Sequence, residues 1–229
     1  MAEIYDYEAG FEEGNKNAWF AKIIGTGANV LEMGCATGYV GEYLHKVLQC
    51  NVWGVEYVAA AAERAKQRGC YKDVLIGDVQ DPKTFATLPR DFDFVMFGDV
   101  LEHLVSPEAA LKNSMALLKP GGGLLVCVPS IAHYSMRLHV LSGRFEYTET
   151  GPRDRTHLRF FTPKTIEHLI QSEGYQIQQA SGVIWLPRLF HKGPAGVRRS
   201  IEKAAQTMAP NLLRGQALVY ATKPTSASK

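Results

Sequence analysis

The amino-acid sequence predicts an α/β fold in which a mostly parallel sheet carries helices on both faces, on the strength of three features. Its strands read as short, nearly continuous apolar runs, the pattern of strands covered on both sides. Helix-patterned segments separate most of those runs. The first four runs end on glycine or an acid, where such sheets place their ligand loops.

In chain order, residues 11–24 have amphipathic helical spacing through Phe11, Ala18, Trp19, Ile23 and Ile24. Tyr5 and Tyr7, ahead of it, are placed either to fold over a crevice or to lie on a frayed end. Strands are expected at about 28–33, 51–56, 73–77, 92–97 and 123–128. Helices are expected between them at about 38–49, 58–68 and 107–118, with a short one starting at Pro82. Asp81 and Ser106 stand as caps, and Pro82 and Pro107 sit at the first helical positions. Lys119-Pro120-Gly121-Gly122 reads as a turn. The rhythm breaks at about 130–161, then resumes with a helix from Thr162-Pro163 to about Ser172 and a strand at about 175–183. A second irregular stretch, about 185–213, contains a helix near 195–207. The last strand, about 216–222, is expected to pair antiparallel with the one before it. One domain is expected over residues 1–223, with insertions at about 130–161 and 185–213 and a disordered tail at 224–229.

The 229 residues are 46% hydrophobic and 21% charged, ordinary values for a globular domain. A net charge of +2 leaves no nucleic-acid footprint. Cys35, Cys50, Cys70 and Cys127 are scattered without a C-x-x-C pair, against a zinc ribbon or a disulfide framework. No ligand cluster of metal-site spacing is seen, so no metal is expected. The first residues lack a basic region followed by an apolar run, and no stretch reaches the length of a membrane span, so the default location is cytoplasmic. Nothing in the patterning specifies an oligomeric state.

The chemistry concentrates at V-L-E-M-G-C-A-T-G, residues 30–38. Gly34, Ala36 and Gly38 let a ligand approach the backbone, and the helix start behind them suits an anionic group. Glu32, at the strand end, is suited to a positive group, so an amino-acid tail would satisfy both. Without a ligand the same residues make a plain strand-to-helix turn. Glu56 can accept both hydroxyls of a ribose, and Asp78 with the Val79 amide can face an adenine.

These pieces, with F-D-F-V-M-F-G-D-V-L-E-H-L and L-K-P-G-G-G-L-L-V-C-V-P, resemble the class I S-adenosylmethionine (SAM)-dependent methyltransferases over about residues 25–180. Ala36 stands where that family more often has glycine. The resemblance implies a Rossmann-like, seven-stranded sheet whose last strand is antiparallel. It also implies SAM as methyl donor and S-adenosylhomocysteine as product. It implies methionyl binding around Glu32, Gly34 and Gly38, ribose binding at Glu56, and adenine binding at Asp78 and Val79, with Cys35, Ala36 and Tyr57 as further cofactor-binding candidates. Asp99 and Val100 would flank the methyl group. The rival is a dinucleotide-dependent oxidoreductase, in which Ala36-x-Gly38-x-x-Gly41 imitates G-x-G-x-x-G, but Glu32-x-Gly34 and Gly77-Asp78 are then left without a role. A third reading is a SAM-binding module without catalysis.

The acceptor should lie against the irregular segments. D-R-T-H-L-R-F-F-T, residues 154–162, resembles a stretch of a bacterial branch associated with sugar, lipid or quinone-like acceptors. His157 is the candidate general base with Asp154 to orient it, or else the two tie the insertion to the following helix. Phe160 and Phe161 read as core. Six Lys/Arg against three acids in 130–164, and six against Glu202 alone in 186–214, suit an anionic small-molecule or lipid- or sugar-linked acceptor, or peripheral contact with an anionic membrane surface. Solvated basic faces explain them equally. Methyl transfer to oxygen is the expected reaction.

Overall fold

The computed structural model describes residues 10–186, 195–208 and 210–225. Tyr5, Tyr7, Arg188, Lys192 and the end of the tail lie outside the described residues. The strands are β1 (Asn29–Met33), β2 (Asn51–Glu56), β3 (Tyr71–Ile76), β4 (Phe92–Gly98), β5 (Leu118–Pro129), β6 (Gln176–Ile184) and β7 (Arg214–Thr222). They form one seven-stranded sheet in the order β3-β2-β1-β4-β5-β7-β6. Every pairing is parallel except those of β7, which runs antiparallel to both β5 and β6, as expected. The helices are α1 (Lys16–Ile24), α2 (Tyr39–Lys46), α3 (Ala59–Gln67), α4 (Pro107–Leu117), α5 (Tyr134–Leu141), α6 (Pro163–Ser172), α7 (Ala195–Met208) and α8 (Pro210–Leu213).

The continuous apolar strands divide their side chains between two cores, because successive residues point to opposite faces. Leu31, Met33, Val95, Phe97, Leu124 and Val126 pack with Leu111 of α4 and Ile166 and Ile170 of α6. Val30, Val52, Met96, Leu125 and Cys127 pack with Phe20 and Ile24 of α1 and Leu44 of α2. Each large side chain buried this way contributes about 1.5–3 kcal/mol. After β1, the chain adds β2 and β3 on one side and then returns to place β4 on the other. The crevice beyond the ends of β1 and β4 is therefore the switch point where such sheets bind ligands.

Several local expectations shift. α1 starts at Lys16, not residue 11, because Gly14 has φ +92° and the Asn15 side chain caps the helix by accepting from the Asn17 amide at 2.8 Å. Phe11 precedes the helix and stacks on Tyr43 with ring centroids 3.5 Å apart. β5 begins at Leu118. The turn residues join the sheet because the Gly121 amide donates to the Lys223 carbonyl and the Lys223 amide to the Gly122 carbonyl. α5 lies within the stretch read as irregular; it buries only Met136 and leaves Leu138, Val140 and Leu141 exposed, so it shows no apolar stripe. No described helix is long and apolar enough to cross a membrane.

Candidate active site

The glycine-rich turn takes the shape its residues allow. Gly34, Ala36 and Gly38 have φ of +71°, +47° and +85°. A Cβ on Gly34 would meet Val100 Cγ2 at 2.6 Å, so glycine is required there twice over, by backbone and by space. This contact seats the end of β4 on the loop after β1.

Glu32 lies beneath the first turn of α2. It accepts from the Tyr71 hydroxyl at 2.7 Å and from the Gly41 amide. Burial raises its pKa to about 7, against the Tyr71 hydrogen bond and the charge of Lys16. The protein's own carboxylate thus fills the helix N-terminus that the sequence offered to a ligand anion. Tyr71, which sequence reasoning missed, fits because Gly41 lacks a side chain: a Cβ there would sit 2.1 Å from the hydroxyl. Cys35 is buried. Its thiol faces Gly54, its amide donates to Val55, and its carbonyl accepts from Gly38, so it is committed to packing and turn formation.

Glu56 is buried and its carboxylate bridges two loops, accepting from the Ala36 amide and from the Val58 amide, both at 2.8 Å. Each oxygen keeps lone-pair capacity for a further donor such as a ribose hydroxyl. Tyr57, next in sequence, is 74% exposed. Asp78 Oδ1 accepts from the Gln80 amide at 2.8 Å, while Gln80 Oε1 accepts from the Ser106 amide at 2.7 Å. The loop after β3 is thereby tied to the start of α4, and Val79 is buried beneath it.

Asp99 has φ +62°. Its carboxylate pairs with Lys16 and accepts from Gln216 at 3.0 and 3.1 Å and from the Cys127 thiol at 3.1 Å. Next to it a 3₁₀ turn, Leu101–His103, carries Glu102 and His103 inward. Glu102 is 1% exposed, and neither of its carboxylate oxygens has a hydrogen-bond partner. Burial, then the charge of Asp99, pushes its carboxyl well above the usual range.

His157 meets this turn from the 130–161 insertion. The Leu158 and Arg159 amides both donate to the Glu102 carbonyl, at 2.8 and 3.0 Å, and pin the two segments together. The His103 and His157 rings meet edge to face with centroids 4.8 Å apart. Ligand atoms of Glu102, His103 and His157 lie within 4.8 Å of one another. Fifty-odd residues separate the two halves of this group, so spacing along the chain does not display it. Asp154 makes its hydrogen bonds within its own loop. Its carboxylate accepts from the Thr156 amide and hydroxyl at 2.8 and 2.7 Å, and the His157 ring is hydrogen-bonded to the Pro152 carbonyl instead. Asp154 acts on His157 through its charge. Burial lowers the pKa of both imidazoles, and His157 lowers that of His103 further.

Arg153 and Arg155 pair with Glu146 and Glu149, and Arg214 is buried with its stem against Gly182. Phe161 is core as expected, but Phe160 is 37% exposed and packs edge to face on Phe145.

The sheet order, the glycine turn at its switch point and the acids around it define a class I SAM-dependent methyltransferase. The chain belongs to the methyltransferase-domain family, whose profile matches residues 11–180. A relative named ubiquinone biosynthesis O-methyltransferase, from Xanthomonas euvesicatoria, is 27% identical over 166 residues, 70% of this chain and 68% of that one. The solved structure of a SAM-dependent methyltransferase from Archaeoglobus fulgidus superposes with a TM-score of 0.65 at 18% identity, over 90% of each chain. Phosphoethanolamine N-methyltransferase 2 of Haemonchus contortus, solved with SAM, gives 0.61 at 17% identity over 91% of this chain and 52% of that one. SAM is the cofactor, and the oxidoreductase reading is set aside.

Proposed function

We propose that this enzyme transfers the SAM methyl group to a hydroxyl oxygen of a small acceptor. The observation that carries the reading is the buried cluster of Glu102, His103 and His157 beside Asp99, at the end of β4. A hydroxyl becomes a strong enough nucleophile for methyl transfer when its proton is withdrawn, and a buried group of imidazoles and carboxylate suits that task. The name of the Xanthomonas relative supports oxygen as the methylated atom.

In this reading Glu32, Gly34 and Gly38 surround the methionyl end of SAM. Glu56 takes the ribose, Tyr57, Asp78 and Val79 take the adenine, and Asp99 and Val100 flank the methyl. In-line geometry supplies much of the rate. The insertion covers the acceptor. Exposed Leu138, Leu141 and Tyr147, with exposed Arg137, Arg144 and Arg159 on the same segment, support an anionic, lipid-linked acceptor reached at a membrane surface.

The test supplies methyl-labelled SAM with a panel of phenols, catechols and lipid-linked hydroxyl compounds and locates the label by NMR. Label on oxygen is expected, and label on nitrogen or carbon refutes the reading. His157→Ala should cut turnover by about 10² to 10⁴ while barely changing SAM affinity; near-normal turnover would remove His157 from the active centre.

A further inference from the structure

The feature left unexplained by donor binding is Glu102. A buried carboxylate without any hydrogen bond costs several kcal/mol. Protonation does not resolve it, because the new O–H would itself need an acceptor, and neither oxygen has a partner. Two imidazoles close to this carboxylate, and each is held from behind. His103 Nδ1 lies 3.3 Å from the Thr156 carbonyl and 3.1 Å from the Thr156 hydroxyl. The His157 ring is bonded to the Pro152 carbonyl. Anchoring one ring nitrogen on a carbonyl is how proteins orient the other toward a metal.

We propose that Glu102, His103 and His157 bind one divalent cation of the zinc type. Two imidazoles and one carboxylate match the mixed nitrogen–oxygen set that zinc accepts, whereas magnesium and calcium favour oxygen alone. Three protein ligands leave a coordination position open, as catalytic sites do. The cluster stands beside Asp99, whose charge acts on Glu102. The insertion is part of the site: the hydrogen bonds from Leu158 and Arg159 to Glu102 bring His157 to the 3₁₀ turn.

The role of the cation rests on the O-methylation reading, although its binding does not. Coordinated by the ion, the acceptor hydroxyl loses its O–H bond and releases the proton to solvent water. A lone pair of the resulting oxyanion forms the bond to the methyl carbon. The carbon–sulfur bond breaks with its electron pair going to sulfur, and the sulfonium becomes the neutral thioether of S-adenosylhomocysteine. No electron is gained or lost by the metal.

The experiment uses the full chain, stripped with a chelator and dialysed, then titrated separately with Zn²⁺ and Co²⁺ in the absence of any acceptor. One equivalent should bind per chain, and Co²⁺ should develop visible d–d bands. Glu102→Gln and His157→Ala should each weaken Zn²⁺ binding by at least about tenfold, while S-adenosylhomocysteine binding reports an intact fold. If His157→Ala fails that check, His157→Asn replaces it. Absence of stoichiometric uptake by the wild type, or unchanged affinity in folded variants, overturns the proposal. Metal uptake without any O-methyl product keeps this proposal and removes the O-methylation reading. O-methyl product formed at full rate by the chelated protein does the reverse.

Discussion

Donor binding should be gated by one proton, and Glu32→Gln should remove the gate. Glu32 has a pKa of about 7 in the ligand-free protein, raised from 4.5 chiefly by burial. S-adenosylhomocysteine keeps a charged ammonium, which favours the carboxylate form, so the competent fraction of the protein shrinks as pH falls. Apparent affinity scales with that fraction, so Kd should rise about twofold at pH 7, about tenfold at pH 6 and about a hundredfold at pH 5 relative to its plateau near pH 8. Isothermal titration in buffers of different ionisation enthalpy should show close to one proton released per ligand near pH 6. Glu32→Gln should bind weakly, with a flat pH profile.

The same shift carries a stability signature of fixed sign. A carboxyl whose folded pKa lies above its unfolded value binds its proton more tightly when folded. Its contribution is therefore most favourable below about pH 4.5 and declines as pH rises to about 7, by about 3 kcal/mol in all. Glu32→Gln, which still offers an oxygen to Tyr71, should consequently be more stable than wild type at pH 8 by about 1–3 kcal/mol. A wild-type Kd that stays level from about pH 5 to 8 would refute the coupling, and so would a variant that loses stability at pH 8.

Two further predictions concern the groups around this carboxylate. Glu56→Ala should weaken SAM binding by about 10- to 100-fold, the worth of a charge-assisted hydrogen bond. It should also lower the melting temperature, because the Ala36 and Val58 amides lose their shared acceptor; Glu56→Gln, retaining one oxygen, should do both to a lesser degree, and an unchanged Kd in the Ala variant would assign Glu56 to loop tethering alone. Gly41→Ala places a Cβ against the Tyr71 hydroxyl and Tyr71→Phe deletes that hydroxyl, so each should move the pH midpoint of S-adenosylhomocysteine binding upward; a midpoint that stays put in both would show that Tyr71 does not tune Glu32.

Much of the donor half was readable from local pattern. The strands announce themselves as apolar runs because both faces are buried, and the turn as Gly34-x-Ala36-x-Gly38 because those positions take positive φ. Acids at strand ends mark the crevice because a parallel sheet brings all its carboxyl ends to one edge. These are consequences of neighbours along the chain, and a sequence displays its neighbours. What the tertiary structure alone decided are the contacts between distant residues. Tyr71 reaches Glu32 across thirty-nine positions, Gln216 reaches Asp99 across 117, and His157 joins Glu102 and His103 only after the insertion folds back over the 3₁₀ turn. Burial is decided at the same level. Arg214 looks like surface charge and lies inside β7, Cys35 looks like a ligand contact and turns its thiol toward the α3 side of the sheet, and Glu102 looks like a loop acid and loses all its water. Local spacing sets which backbone shape a residue prefers, whereas partners and dielectric come from the segments that pack over it, as the insertion does where it brings His157 to Glu102 and His103.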